Sequence, residues 1–357
     1  MTGAARRGWS GWTVLLVLIA GACGPHEGGP APAAPNGDPT PPPSAAATTT
    51  PTAVPTPTPS ATGTPAAAPP RAAPWRPGDR EVLPEAKQLA TRIVEALTTY
   101  DAGEADDVLE RVVPDAALRE ATAAVAAPLL HHDRWSRGRV LYPQLGGYRQ
   151  DAASVMVVVE QRSARPAGDT ATTTRTVDIR LRRVDGRWRF AALPSIGGDP
   201  VARPDDLPPE AITVLDDPRI HLPDSSRWDI HAGLVDRDLL RVMAGIAERT
   251  SYVVVTITSG HPHHVFGTDR LSDHTDGRAV DIALLGDAPV VEDRAEGSAA
   301  HALVRWLWQH PDVRQIGSPW ALDGYGGRSF TDLVHQDHLH VAVAPDEPPD
   351  DPGDGPG

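Results

Sequence analysis

The 357-residue sequence contains a single cysteine, three phenylalanines and three methionines. One cysteine excludes an intrachain disulfide. Downstream of the N-terminus no apolar run approaches the ~20 residues of a spanning helix, which excludes a polytopic membrane protein. Positive charge is in deficit: the formal net charge is −14 and the pI about 5.4. The acidic residues lie mainly beyond residue 205. This balance argues against a nucleic-acid partner, which calls for a basic patch. Lysine is confined to Lys87, and the heavy use of arginine reads as codon bias of a high-GC genome.

Proline, in contrast, is abundant, and 17 of the 38 prolines fall between Gly24 and Pro77. Residues 23–78 therefore read as a disordered Pro/Ala/Thr linker that favours extended polyproline II. At ~3.1 Å per residue its ~54 residues reach on the order of 150 Å. Ahead of it, Arg6 and Arg7 precede the short apolar run Trp12–Ala20 (WTVLLVLIA). Ala20, Gly21 and Ala22 then lead into Cys23. This is the layout of an export signal over residues 1–22. A small-residue run ending at a lone cysteine resembles a bacterial lipoprotein lipobox, although Ala20 stands where leucine is usual. The resemblance implies lipidation at Cys23, attachment to the outer face of the cell membrane, and reach into the cell wall. Ordinary signal cleavage and an uncleaved anchor are the alternatives. The acidic residues 346–357 read as a disordered tail.

Residues 79–197 predict an α+β domain. Pro84 opens a helix with Leu89, Ile93 and Leu97 on one face, and a second helical stretch covers roughly Asp106 to Leu130. Ala153–Glu160 (ASVMVVVE) is a buried type of strand. Thr176–Arg182 alternates apolar and polar, and Asp185-Gly186 signals a type I′ hairpin. The order of helices then long antiparallel strands resembles the cystatin-like cone fold of nuclear-transport-factor-like domains. His131 and His132 point about 100° apart on a helix and do not suggest a ligand pair. The domain reads as a spacer, scaffold or binder of an unspecified protein partner.

Residues 198–226, rich in Pro and Asp, read as a hinge. Residues 227–345 carry the chemistry, because ten of the 14 histidines lie from His231 onward. Asp281 sits among Ala279, Val280 and Ile282, where a carboxylate is costly unless paired or metal-bound. Arg278 or Arg270 is the bland partner. His338 and His340, two apart, share one strand face. Two histidines and a carboxylate make a catalytic zinc set with one open position. Asp337 lies beside them as a base candidate.

These residues carry a specific resemblance. Ser272, His274, Gly277, Ala279 and Asp281, followed by Asp337 three before His340, resemble the zinc D-Ala-D-Ala carboxypeptidases and hedgehog-like peptidoglycan metallopeptidases. The resemblance covers about 120 residues and implies an α+β fold around a small antiparallel sheet. It implies one zinc ion per C-terminal domain on His274, Asp281 and His340, with Asp337 as catalytic acid/base. His335 and His338 take the auxiliary places that stabilise the oxyanion or orient ligands. The implied activity is hydrolysis of amide bonds in peptidoglycan stem peptides. One place departs: Ser259-Gly260-His261-Pro262 lacks the substrate-binding arginine of Ser-Gly-x-Arg. Arg270, with Ser272, is the substitute expected at the substrate. His261, His263 and His264 read as solvated loop, with added polar contacts as the alternative. The alternative is a catalytically silent, zinc-containing lipoprotein that binds cell wall or a partner.

Overall fold

The computed structural model describes residues 68–165, 168, 170–324 and 327–345. All of these belong to one compact unit that begins at Ala61. The export signal, Cys23, most of the linker and the acidic tail lie outside the described residues. The chain is mixed α+β, in two packed lobes.

The first lobe opens with α1 (Pro84–Thr98), α2 (Ala105–Val112) and α3 (Ala116–Ala126). Pro114 divides what the sequence suggests as one helical stretch, since a proline ring blocks the helix before it. Four strands follow as an antiparallel meander: β1 (Trp135–Arg149), β2 (Ala152–Ala164), β3 (Thr170–Val184) and β4 (Arg187–Ser195). Asp185 and Gly186, at φ 49° and 74°, make the tight turn between the last two. The apolar run in β2 is continuous because both of its faces are covered. Val155, Val157 and Val159 pack with Ala90, Val94 and Leu97 of α1. On the opposite face, Met156 and Val158 join Tyr142 and meet Val255 and Ala283 of the second lobe. Period-2 alternation fails where a strand has no wet side.

The second lobe contains α4 (Pro209–Asp216), β5 (Ile220–His221), α5 (Asp224–His231), α6 (Arg237–Ala247), β6 (Tyr252–Thr256), β7 (Ala279–Leu285), β8 (Ala288–Pro289), α7 (Ala299–Gln309), β9 (Val313–Gly317), β10 (Ser329–Phe330) and β11 (Leu339–Val343). The sheet order is β10-β9-β11-β7-β6-β5, with β8 on β7. The central four strands are antiparallel, whereas β5 on β6 and β10 on β9 are parallel. The sheet is thus mixed and larger than the small antiparallel one expected. Leu239, Met243 and Ile246 of α6 and Leu303, Val304 and Leu307 of α7 fill its core.

Residues 198–226 are not the hinge that their prolines suggest. Ala211, Val214, Leu215 and Ile220 are buried in the second lobe's core, and β5 extends its sheet. Pro208 and Pro209 start α4, where a missing N–H costs nothing. The lobes are also stitched by hydrogen bonds. Thr176 Oγ1 donates to the Val255 carbonyl at 2.5 Å, and Thr174 N donates to Asp224 Oδ2 at 2.7 Å.

Candidate metal centre

Strand register brings the chemistry together. His340 on β11 pairs directly with Asp281 on β7, so both side chains leave one face of the sheet. His274 arrives from the loop before β7. That loop closes through Gly277 at φ 67°, whose missing Cβ would lie 1.8 Å from the Leu234 carbonyl oxygen, so only glycine fits. His274 and Asp281 are each 1% exposed.

His274 Nδ1 donates to the Ile257 carbonyl at 2.6 Å, which leaves a lone pair on Nε2. That Nε2 lies 3.1 Å from His340 Nδ1 and 3.2 Å from Asp281 Oδ1, and His340 Nδ1 lies 3.0 Å from the same oxygen. Three donor atoms converge with at most one proton, on His340, between them. A tetrahedral zinc ion with ligands ~2.0–2.2 Å away holds them roughly 3.3–3.5 Å apart, within a few tenths of an ångström of this spacing. The donor set therefore fits a cation. The carbonyl behind His274 is the usual outer support of a ligand histidine. Among the described residues, His261, His274 and Asp281 also bring ligand atoms within 4.8 Å of one another. Burial pushes His340 down to about 4, against the pull of Asp281. For Asp281 burial acts upward, but His274 and His338 outweigh it and hold the carboxyl well below the usual range.

His261 is not part of a solvated loop. Its ring stacks on His274 at 3.9 Å, and its Nδ1 bonds the Pro262 carbonyl at 2.8 Å. His263 and His264 are exposed.

Asp337 takes a different place from the one its spacing suggests. A one-turn 3₁₀ segment, Val334–Gln336, turns its carboxylate away from the cavity. Both oxygens are engaged: Oδ1 accepts from His338 Nδ1 at 2.6 Å, and Oδ2 meets Lys87 Nζ at 2.6 Å and Leu145 N at 3.0 Å. The carboxylate is 0% exposed. Burial acts upward on it, but Lys87 and His338 outweigh that and hold it low. Asp337 therefore supports His338 and does not face the cluster as a base. His338 faces it instead, with Nε2 3.8 Å from Asp281 Oδ2. Burial disfavours the imidazolium, but Asp281 and Asp337 outweigh it and raise His338. His335 forms a parallel pair: its Nδ1 lies 2.7 Å from Asp332 Oδ1.

A cavity of about 440 Å³ opens over these groups. His335, His338 and His340 line it together with Phe266 and Phe330. Arg270 and Ser272 also line it. Arg270 is exposed at the rim, whereas Ser272 is buried, with its Oγ 3.4 Å from both His274 N and His261 Nδ1. Leu145 and Gly146 of the first lobe also line it.

Two supporting residues were not predicted. Gln144 on β1 donates Nε2 to Asp281 Oδ2 at 2.6 Å, and Lys87 on α1 joins Asp337 to Glu81. The one sequence signal was Lys87 itself, the lone lysine of the chain, in an amphipathic helix.

No protein-family model and no curated protein matches the chain. Among solved structures, the chain is similar to one described as an "Ntf2 like protein involved in plasmid conjugation". The identity is 15% and the TM-score 0.24, over 34% of this chain and 51% of that one. The chain thus spans about half the length of that protein.

Proposed function

We propose that the chain is an exported, lipid-anchored zinc metallopeptidase that hydrolyses amide bonds in peptidoglycan stem peptides. The observation that carries this reading is the convergence of His274 Nε2, Asp281 Oδ1 and His340 Nδ1 within 3.2 Å of one another on one sheet face. The peptidase family the motif resembles uses a donor set of this kind, and the first lobe's helices-then-meander order suits a cone-like fold. Zinc bound there would polarise the scissile carbonyl and lower the pKa of water toward ~7.

The chain's own groups divide the remaining work. Asp337 holds the Nδ1–H of His338, so Nε2 accepts a proton from the attacking water and returns it to the leaving amine. Asp332 accepts from His335 Nδ1 and fixes that ring in the cavity lining, where its doubly protonated form would donate Nε2–H to the developing oxyanion. Arg270, exposed in the cavity lining, offers a cation to a peptide carboxylate. Cys23 and the linker bring the unit to the wall.

The test is digestion of purified stem peptides and cross-linked muropeptides by the full chain, followed by mass spectrometry. New amino termini are expected, lost on chelation and restored by Zn²⁺. Pro262, standing where the family has arginine, favours a second reading as a silent wall-binding protein. Muropeptide retention without cleavage at full metal occupancy would establish that reading.

A further inference from the structure

The first lobe reaches into the centre through one strand. On β1, Gln144 touches Asp281, and the next residue, Leu145, donates its N–H to Asp337. Tyr142 OH donates to the Asp337 carbonyl at 3.0 Å. This short stretch is bracketed by two irregularities in the β1–β2 ladder, between Val140 and Tyr142 and between Leu145 and Gly147. Bulges re-aim side chains and recur beside active sites.

Gln144 is itself 0% exposed, and its Oε1 has no hydrogen-bond partner among the described residues. A buried amide with an unmet oxygen is costly, so its presence calls for a reason. The reason is at its other end. Asp281 is the one carboxylate among the converging donors. Its Oδ1 faces His274 and His340, while Gln144 occupies Oδ2. A carboxylate free to swing about its Cβ–Cγ bond would offer either oxygen; the amide fixes which one faces the histidines.

Resting on the reading of His274, Asp281 and His340 as a metal centre, we infer that β1 of the first lobe is a positioning part of that centre, with Gln144 as the side chain that orients Asp281. The first lobe is then a working component of the site. The inferred role is outer support of a ligand, whose loss weakens metal affinity by roughly 10–100-fold.

The experiment measures affinity of the purified full chain for Zn²⁺ by competition with a chromogenic chelator. The visible spectrum after Co²⁺ substitution reports the coordination geometry. Gln144→Leu removes the donor, and Gln144→Met, which keeps the length, carries the test if the leucine variant does not fold. Asp224→Ala is the control: it breaks the inter-lobe bond from Thr174 N and touches no residue of the centre. Both Gln144 variants are expected to bind Zn²⁺ about 10–100-fold more weakly with an altered Co²⁺ spectrum. Asp224→Ala is expected to match wild type. Wild-type affinity in the Gln144 variants overturns the inference alone. Equal loss in Asp224→Ala does so too, because it assigns the effect to lobe contact in general. A wild-type chain that binds neither ion overturns the metal centre and this inference together.

Discussion

Lys87, the lone lysine of the chain, lies 2.6 Å from Asp337, 250 residues later in sequence, and neither side chain is exposed at all. Glu81 flanks the ammonium on its other side, and the Tyr142 ring lies 5.4 Å from it. Removing one partner of such a pair strands the other charge away from water. Lys87→Met is expected to lower stability by about 3–5 kcal/mol, read from urea denaturation of the full chain. Pairing it with Asp337→Asn is expected to recover part of that loss. A loss under about 1 kcal/mol, as for exposed pairs, contradicts the geometry.

Metal content is the most direct check on the converging donors. The wild-type chain is expected to hold one zinc ion after dialysis, by elemental analysis. His340→Ala removes a ligand itself, so its affinity is expected to fall by more than the ~100-fold of a lost outer partner. Equal zinc in both proteins means that the ligand set is misassigned.

The division of labour between His338 and Asp337 separates in kinetics. His338→Ala is expected to retain zinc and lose ~10²–10⁴-fold in turnover, the usual cost of a missing acid–base group. Asp337→Asn still offers His338 an acceptor, so its turnover is expected to fall less, while its unfolding midpoint drops because Lys87 faces a neutral amide. A larger catalytic loss in Asp337→Asn than in His338→Ala, at full zinc occupancy, returns the proton-transfer role to the carboxylate.

The anchor is tested by fractionation. Cys23→Ser is expected to move the protein from the membrane fraction to the soluble one and to alter its processing. A variant that stays membrane-bound and is processed like wild type removes the lipobox assignment.

Part of the candidate metal site was legible because two of its donors are local. His274 and Asp281 sit in one short motif, and the apolar residues around Asp281 announced its strand. Alternation placed His340 on a strand face, although its pairing with Asp281 needed the sheet. What spacing did not carry was direction. Three residues before a ligand suggests proximity, but the single 3₁₀ turn ahead of Asp337 swings its carboxylate to the far side. Strand β1 escaped detection because Gly138, Pro143, Gly146 and Gly147 interrupt its alternation, and its two irregularities shift the face in mid-strand. Gln144 was invisible for a further reason: its partner is supplied by a lobe that begins about sixty residues later. The doubly covered β2 was the one sequence sign that the lobes dock, since a strand apolar on both faces needs a second neighbour.

With its only lysine sealed between the lobes, the chain carries one side-chain amine, and that amine is closed to reagents while the protein is folded. Amine-acylating dyes and amine-coupled surfaces will find no reactive side chain on the native molecule. The same fact makes Lys87 a reporter already in place. The rate at which a small amine-reactive probe modifies it measures how often the lobes part, without any engineered label.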